Sequence, residues 1–167
     1  LLWSAGNLAA PNANAAPLHE ALDLLEAGKD FYLAGNCCRS LAETSDDPAE
    51  RDSFFARAIV NYRKTDSQLG EPLTLQQWAK DALRRGDLDR AGECLKHALS
   101  LIRRVRLNRL ARKIEAELLE AQGDLMILRQ HPGDANLRFS KSFELFHILD
   151  LNRDAERVSA KRTVLLD

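Results

Sequence analysis

One pattern of apolar and small residues recurs three times along this chain, at intervals of 44 residues. A small residue marks each copy, at Gly35, Ala79 and Gly123. Around each of them apolar residues follow at steps of three and four, which is the period of an amphipathic helix. A recurrence of this kind predicts similar helical units that bury their apolar faces only by stacking on one another. The composition agrees, because residues that favour strands are sparse.

The middle copy, residues 72–101, predicts a hairpin of two helices. Thr74 stands three residues before Gln77, the spacing of a capping box, so we expect the first helix to begin at Thr74. Gly86 is the kind of residue that ends a helix, and Asp87 can cap the next one. The apolar stripes on either side of Gly86 predict two helices packed side by side.

The other copies extend this prediction to both ends of the chain. In the second helix of the hairpin, Ala91 aligns with Ala135 at the same 44-residue offset. The first copy is displaced by four residues, which predicts a longer loop at residues 44–48. Helical periodicity also covers residues 17–43 with a break at Gly28, and Asp154 can cap a last helix, residues 155–166. We expect an all-α chain of six or seven helices in antiparallel pairs.

The pattern resembles the tetratricopeptide repeat, in its long-helix variety. Gly35, Ala79 and Gly123 match the small residue of that family at which its paired helices come closest. Cys38, Ala82 and Met126 stand where the family usually has an aromatic residue. The resemblance covers residues 28–167 and implies about three repeats and a terminal helix, stacked as a right-handed superhelix.

The domain organisation follows from these offsets. Residues 1–16 are predicted to be a stub and linker, and residues 17–167 a single helical-repeat domain. The predicted units are residues 28–71, 72–115 and 116–159, with a capping helix at residues 154–167. Because the chain begins at Leu1, we expect it to be part of a longer protein.

Charge and cysteine content limit the partners and the compartment. The net charge of −1 favours neither nucleic acid nor a membrane surface as a partner of the whole molecule. No apolar run reaches the length that spans a bilayer. Cys37, Cys38 and Cys94 have neither the number nor the spacing of a disulfide framework or a zinc site. We therefore expect reduced thiols and a cytoplasmic protein.

Catalytic motifs are not recognisable in the sequence. Glu144 and His147 have the spacing of one half of a di-iron motif, but the chain contains no second Glu-x-x-His. The four histidines are scattered, and none adjoins a nucleophile motif. We expect no enzyme activity, no cofactor and no metal site.

A basic stretch near the middle of the chain is a candidate binding patch. It contains Arg103, Arg104, Arg106 and Arg109, with no acidic residue among them. Such a patch can hold an acidic peptide, phosphate groups or nucleic acid, although no aromatic residues interleave with the arginines for base stacking. The alternative is that these arginines pair with the nearby Glu115, Glu117 and Glu120, or with a neighbouring molecule.

The resemblance also implies a concave groove that is lined by the first helix of each unit. Asn36 matches the asparagine with which members of the family hold a peptide backbone or a carboxylate. The full set of implied partner-binding residues is Lys29, Tyr32, Asn36, Arg39, Gln76, Lys80, Arg84, Glu117, Glu120 and Asp124. Basic at one end and acidic at the other, this set suits a mixed-charge segment or an amphipathic helix.

Two classes of function remain open at this point. The first is a protein–protein interaction scaffold or adaptor that binds a peptide or helix of its partner. The second is a regulatory, effector-sensing helical domain of a larger signalling or transcription regulator. The domains that flank this segment in the full-length protein would distinguish them.

Overall fold

The computed structural model describes residues 15–105 and 108–164, and throughout these ranges the regular structure is α-helical. The predicted all-α fold class is confirmed. The described residues form eight helices rather than six or seven, because Gly28, Lys29 and Asp30 separate two helices where the sequence predicts one interrupted stretch. The helices are α1 (Ala15–Ala27), α2 (Phe31–Thr44), α3 (Pro48–Tyr62), α4 (Gly70–Arg85), α5 (Leu88–Ile102), α6 (Arg109–Leu128), α7 (Pro132–Ile148) and α8 (Asn152–Thr163).

The chain divides into two compact units. The N-terminal unit holds α1 to α3 and ends at Asp66, and the C-terminal unit begins at Ser67 and holds α4 to α8. Within each unit, consecutive helices pack against each other, and α4 also touches α6. The handedness and curvature of a superhelix stay predictions.

Short polar side chains cap four of the eight described helices at their starts, as the sequence predicted for Asp87. Its carboxylate accepts a hydrogen bond from the backbone N–H of Arg90 at the start of α5. Asp30, Asp47 and Asn108 cap α2, α3 and α6 in the same way. At the other end of α4, Gly86 has a φ of 76°, the left-handed conformation that ends helices and favours glycine.

Gly35 and Gly123 each lie against an aromatic ring of the next helix, with no room for a side chain. A Cβ added at Gly35 would lie 2.9 Å from the Tyr62 ring of α3. A Cβ at Gly123 would lie 2.6 Å from Cδ1 and 2.8 Å from Cζ of Phe139 in α7. A side chain at either position would therefore displace a buried aromatic ring. Ala79, at the same place in the middle copy, is fully buried.

The predicted start of α4 at Thr74 is wrong. The helix begins four residues earlier, at Gly70, and Thr74 is a buried residue within it. Its hydroxyl donates a hydrogen bond of 2.8 Å to the Gly70 carbonyl oxygen, so it binds the preceding turn instead of capping. Pro72 is compatible with this earlier start, since a proline in the first turn of a helix removes no intrahelical hydrogen bond.

Two other predicted boundaries are corrected. The loop after α2, Ser45–Asp47, is as long as Arg129–His131 after α6 and only one residue longer than Gly86–Asp87 after α4, so a longer loop does not explain the four-residue displacement. Instead, α2 runs on to Thr44, three residues beyond the position that matches the end of α4, so helix takes up most of the displacement. The last helix, α8, begins at Asn152, so Asp154 lies within its first turn and does not cap it.

Several predicted features fall outside the described residues. They are nearly all of the stub at residues 1–16, Arg106 of the basic stretch, and the last three residues of the capping helix. Of the helices in residues 15–105 and 108–164, none combines the length and hydrophobicity that a bilayer span requires.

Candidate partner-binding surface

In the N-terminal unit, the implied binding residues form one stripe along α2. Lys29, Tyr32, Asn36 and Arg39 follow at steps of three and four residues, which places them on one side of the helix. The Tyr32 side chain is 51% exposed, and Lys29 is exposed just before the helix with a φ of 61°. The stripe offers two cations, an aromatic ring and an amide.

Tyr62 of α3 supports this stripe from beneath. Its hydroxyl donates a hydrogen bond of 2.7 Å to Oδ1 of Asn36. Burial raises the pKa of Tyr62, although a hydrogen bond with Arg39 opposes the rise, so the hydroxyl stays protonated and remains a donor. Because Oδ1 of Asn36 is engaged, the amide N–H group is the part of that side chain available to a partner.

Of the implied residues of α4, one is buried in a contact within the unit and two are exposed to solvent. Gln76 is buried, and its amide donates a hydrogen bond of 2.8 Å to Oε2 of Glu117 in α6. Lys80 and Arg84, one and two turns further along α4, have exposed side chains. Arg84 also lies 3.4 Å from the buried carboxylate of Asp81. Lys80 and Arg84 therefore form the accessible cationic surface of α4.

Two of the three implied acidic residues of α6, Glu120 and Asp124, are paired with cations of α8, and the third, Glu117, meets Gln76. Glu120 is 8% exposed, and its two carboxylate oxygens accept hydrogen bonds of 3.0 and 2.7 Å from Arg157. Lys161 lies 3.0 Å from Glu120 and 2.7 Å from Asp124. Burial alone would raise the pKa of Glu120, but the hydrogen bonds from Arg157 and Lys161 outweigh burial and hold the pKa below its ordinary value.

These contacts repeat with the period of the sequence. Gln76 meets Glu117, and the residues 44 positions later, Glu120 and Lys161, meet each other. The three first-in-pair helices of the C-terminal unit, α4, α6 and α8, are thus linked in series through equivalent positions. Sequence analysis missed Arg157 and Lys161 as partners of α6. The signal was present, since Lys161 lies 44 residues after Glu117.

Part of the basic stretch has structural partners. Nε of Arg103 lies 2.9 Å from Oε1 of Glu115, the kind of pairing that the sequence left open. Arg109 donates a hydrogen bond of 2.6 Å to the carbonyl oxygen of Leu149, at the end of α7, where a cation suits the helix dipole. Arg104 is exposed. Binding at this stretch stays a prediction.

Another paired carboxylate, which sequence analysis did not single out, lies in the N-terminal unit. Glu26 of α1 accepts hydrogen bonds of 2.9 and 2.6 Å from Arg57 of α3, and one of 2.9 Å from the buried Asn61. Chiefly because of the hydrogen bonds from Arg57, the pKa of Glu26 falls to about 2. This cluster fastens α1 to α3 and supports α2 between them.

The cysteines are placed for packing rather than for chemistry. All three are buried and free. Burial raises the pKa of Cys37, and it raises that of Cys38 to about 11, so both remain thiols near neutral pH. Within the part of the chain that the structure describes, no three His, Cys, Asp or Glu side chains are grouped as metal ligands.

Comparison with known proteins adds no identification. No protein-family model matches the sequence, and neither does any curated protein.

Proposed function

We propose that this chain is a non-enzymatic interaction scaffold that binds a peptide or helical segment of another protein. The observation that carries the proposal is the α2 stripe, in which Tyr32 is exposed beside the amide of Asn36 and the cations Lys29 and Arg39. An aromatic ring flanked by donors is the composition of a binding hot spot. The exposed Lys80 and Arg84 of α4 provide a second cationic surface.

The charges favour an acidic partner segment over the mixed-charge segment expected from the sequence. Glu120 and Asp124 already pair with Arg157 and Lys161, and Glu117 lies 3.7 Å from Lys113, so each acidic residue of the implied set has a cation beside it within its own unit. The cations of the set, which lie at α2 and on α4, are not the partners of Glu120 or Asp124. Carboxylates of a partner would gain charge-assisted hydrogen bonds of about 1.5–3 kcal/mol each there.

We also propose that the chain is a degenerate tetratricopeptide-like repeat and that it acts in the cytoplasm. Two observations support the repeat: the small residues at 35, 79 and 123, and the equivalent contacts of Gln76 with Glu117 and of Glu120 with Lys161. Three buried, free thiols support a reducing compartment. Imaging of the tagged full-length protein tests the compartment, and a secreted or organellar signal would contradict it.

The binding proposal can be tested with peptides selected from a random phage-displayed library on the wild-type chain. The selected peptides are then titrated against Lys29→Glu/Arg39→Glu and Lys80→Glu/Arg84→Glu. Because each reversal replaces attraction by repulsion, we expect more than about tenfold weaker binding for at least one pair. Circular dichroism should show both variants folded, since Lys29, Lys80 and Arg84 are exposed and Arg39 is half-exposed.

The control is Arg103→Glu/Arg104→Glu, which reverses charge in the basic stretch instead. If this variant abolishes binding while the α2 and α4 variants bind normally, the interface is the basic stretch and the proposal is wrong. A library that yields acidic peptides sensitive to the α2 or α4 reversals supports it.

A further inference from the structure

A cleft of about 410 Å³ opens in the C-terminal unit between the end of α6 and the end of α8. Its walls are mostly apolar and its rim is ionic. Leu128 is 53% exposed and Val164 is 77% exposed, so much of this apolar surface faces solvent. The residues that line the cleft are Asp124, Ile127, Leu128, Phe139, Lys161 and Val164.

The floor of the cleft is rigid. Phe139 is buried against Gly123, where no side chain separates the ring from the α6 backbone. Phe139 also belongs to the core cluster that joins α6, α7 and α8, which includes Phe146 and Val158. A ligand in the cleft would therefore meet a formed surface, and binding would cost little reorganisation.

The apolar character of the cleft is particular to this part of the chain. Forty-four residues earlier, Arg84 stands at the position of Leu128 and Glu120 at the position of Val164. The repeat therefore does not require apolar residues at these two places. Exposed apolar side chains that depart from their charged counterparts indicate a surface that another molecule covers.

The ionic rim selects the charge of that molecule. The three N–H donors of Lys161 are matched by three carboxylate oxygens, two of Asp124 at 2.7 and 2.8 Å and one of Glu120 at 3.0 Å. An anion would have to displace one of them. A cation can instead approach Asp124, whose side chain is 40% exposed. Glu120 and Asp124 balance the charges of Arg157 and Lys161, so the half-exposed carboxylate of Asp124 is the acidic group of the rim that a ligand can reach.

The shape of the cleft favours a protein segment over a small molecule. Small-molecule sites bury most of the ligand surface, about 70–90%. Here two of the apolar walls are more than half exposed, so a small ligand would keep much of its surface in water. A helix can insert one or two side chains into such a cleft while the rest of its surface lies across the rim.

We propose that this cleft docks an amphipathic helix of a partner protein, one that carries a large aliphatic residue and, one turn away, a lysine or arginine. The aliphatic side chain packs on Phe139, Leu128 and Val164, and the cation pairs with Asp124. Helix α8 uses the same combination within the chain, with Val158 in the core cluster and Arg157 and Lys161 on the carboxylates of α6. This inference goes beyond the α2 and α4 surfaces and rests on the proposed scaffold function, because it assumes that the ligand is a protein.

A peptide of defined sequence can take the place of the partner in a test of the proposal. The probe is a fluorescein-labelled helical peptide of leucine, alanine and lysine, with a lysine one turn after each leucine. One control peptide replaces its lysines by glutamate and another replaces its leucines by alanine. By fluorescence anisotropy, wild type should bind the probe at least about tenfold more tightly than either control, since both anchor types contribute.

Variants of the chain then locate the site. Leu128→Glu and Val164→Glu should each weaken the probe by about tenfold or more, and Asp124→Asn by about threefold with a smaller salt dependence. Ile148→Glu is the matched control, because Ile148 is an exposed aliphatic residue of the same unit that does not line the cleft. It should bind the probe like wild type.

Methyl NMR of the wild-type chain locates the site without any substitution, so the result does not depend on whether the variants fold. On titration with the probe, the methyl signals of Ile127, Leu128 and Val164 should shift, and those of Ile148 should not. No binding by wild type, equal loss in Ile148→Glu and Leu128→Glu, or shifts away from the cleft would each overturn the proposal. These failures leave the α2 and α4 surfaces standing, since those are tested by other variants and by acidic peptides.

Discussion

Each unit joins two of its helices through a pair of an arginine and a glutamate, here called a clamp. The two clamps differ in how deeply the glutamate is buried. In the N-terminal unit Arg57 holds Glu26 of α1, and in the C-terminal unit Arg157 holds Glu120 of α6. Glu26 keeps 29% of its side chain exposed, whereas Glu120 keeps 11% and gains a second cation, Lys161. The deeper carboxylate needs more compensation, because burial without partners would neutralise it.

The two clamps also differ in which of the implied binding residues they leave accessible. In the C-terminal unit, the clamp buries Glu120, which the family resemblance assigns to a partner, and engages Asp124, whose side chain stays 40% exposed. In the N-terminal unit, the clamp uses Glu26 and Arg57, which lie apart from the α2 stripe, so Tyr32 and Asn36 stay available. A binding residue implied by a family pattern is thus accessible only where no neighbouring helix of the same chain has taken it.

The largest expected effect is a difference in unfolding free energy between alanine substitutions at Gly123 and at Gly35. Gly123→Ala should lower the free energy of unfolding by about 2 kcal/mol, because overpacking against Phe139 exceeds the gain in helix propensity. Gly35→Ala should stay within about 1 kcal/mol of wild type, since the added Cβ would sit less tightly against Tyr62. Urea unfolding followed by circular dichroism measures both.

Gly133→Ala is the control for these glycine substitutions. Gly133 lies in the first turn of α7, and a Cβ there meets nothing within 4 Å. It should stabilise the chain by about 0.5 kcal/mol through the unfolded state alone. Equal losses at Gly35 and Gly123 would show that the two contacts do not differ in tightness.

The next largest effect is the loss of stability when the glutamate of each clamp is replaced by glutamine. Glu120→Gln should cost about 2 kcal/mol, and Glu26→Gln about 1 kcal/mol, because Glu120 is the more buried and serves two cations. Both substitutions keep the shape of the side chain and remove its charge. Chemical unfolding at low and high salt measures the costs, and the cost of Glu26→Gln should shrink more in salt. A larger cost at Glu26 would reverse the ranking of the clamps.

The sequence predicted the fold better than the surfaces, for a physical reason. Helix ends depend on local chemistry, so Asp87, Gly86 and Pro48 could be placed from their own neighbours. Thr74 failed because its hydroxyl has two local partners, a cap or the preceding turn, and the burial of α4 decided between them. The pairing of Arg157 with Glu120 joins residues 37 positions apart, and only the packing of α8 brings them together.

The pH dependence of stability should report on the clamp of the N-terminal unit, which contains Glu26. The pKa of Glu26 is lowered to about 2 in the folded chain, below its ordinary value of 4.5. Its contribution is therefore complete above about pH 4.5 and is lost as the pH falls towards 2. The stability difference between wild type and Glu26→Gln should narrow over this range. A difference that stays constant from about pH 7 to about pH 2.5 would show that the charge of Glu26 contributes nothing.

The smallest effect is a change in the local opening of each unit, which the labelling of its buried cysteine reports separately. Cys38 is buried in the N-terminal unit beside Asn61, which Glu26 holds, and Cys94 is buried in the C-terminal unit. Labelling by iodoacetamide requires local opening, because a buried thiol with a pKa of about 11, as in Cys38, reacts slowly. Glu26→Gln should speed the labelling of Cys38 more than that of Cys94, and Glu120→Gln should do the opposite. Mass spectrometry after timed quenching reads both rates in one sample. If either substitution speeds both cysteines equally, the units open together, and the contrast between the clamps is one of energy but not of location.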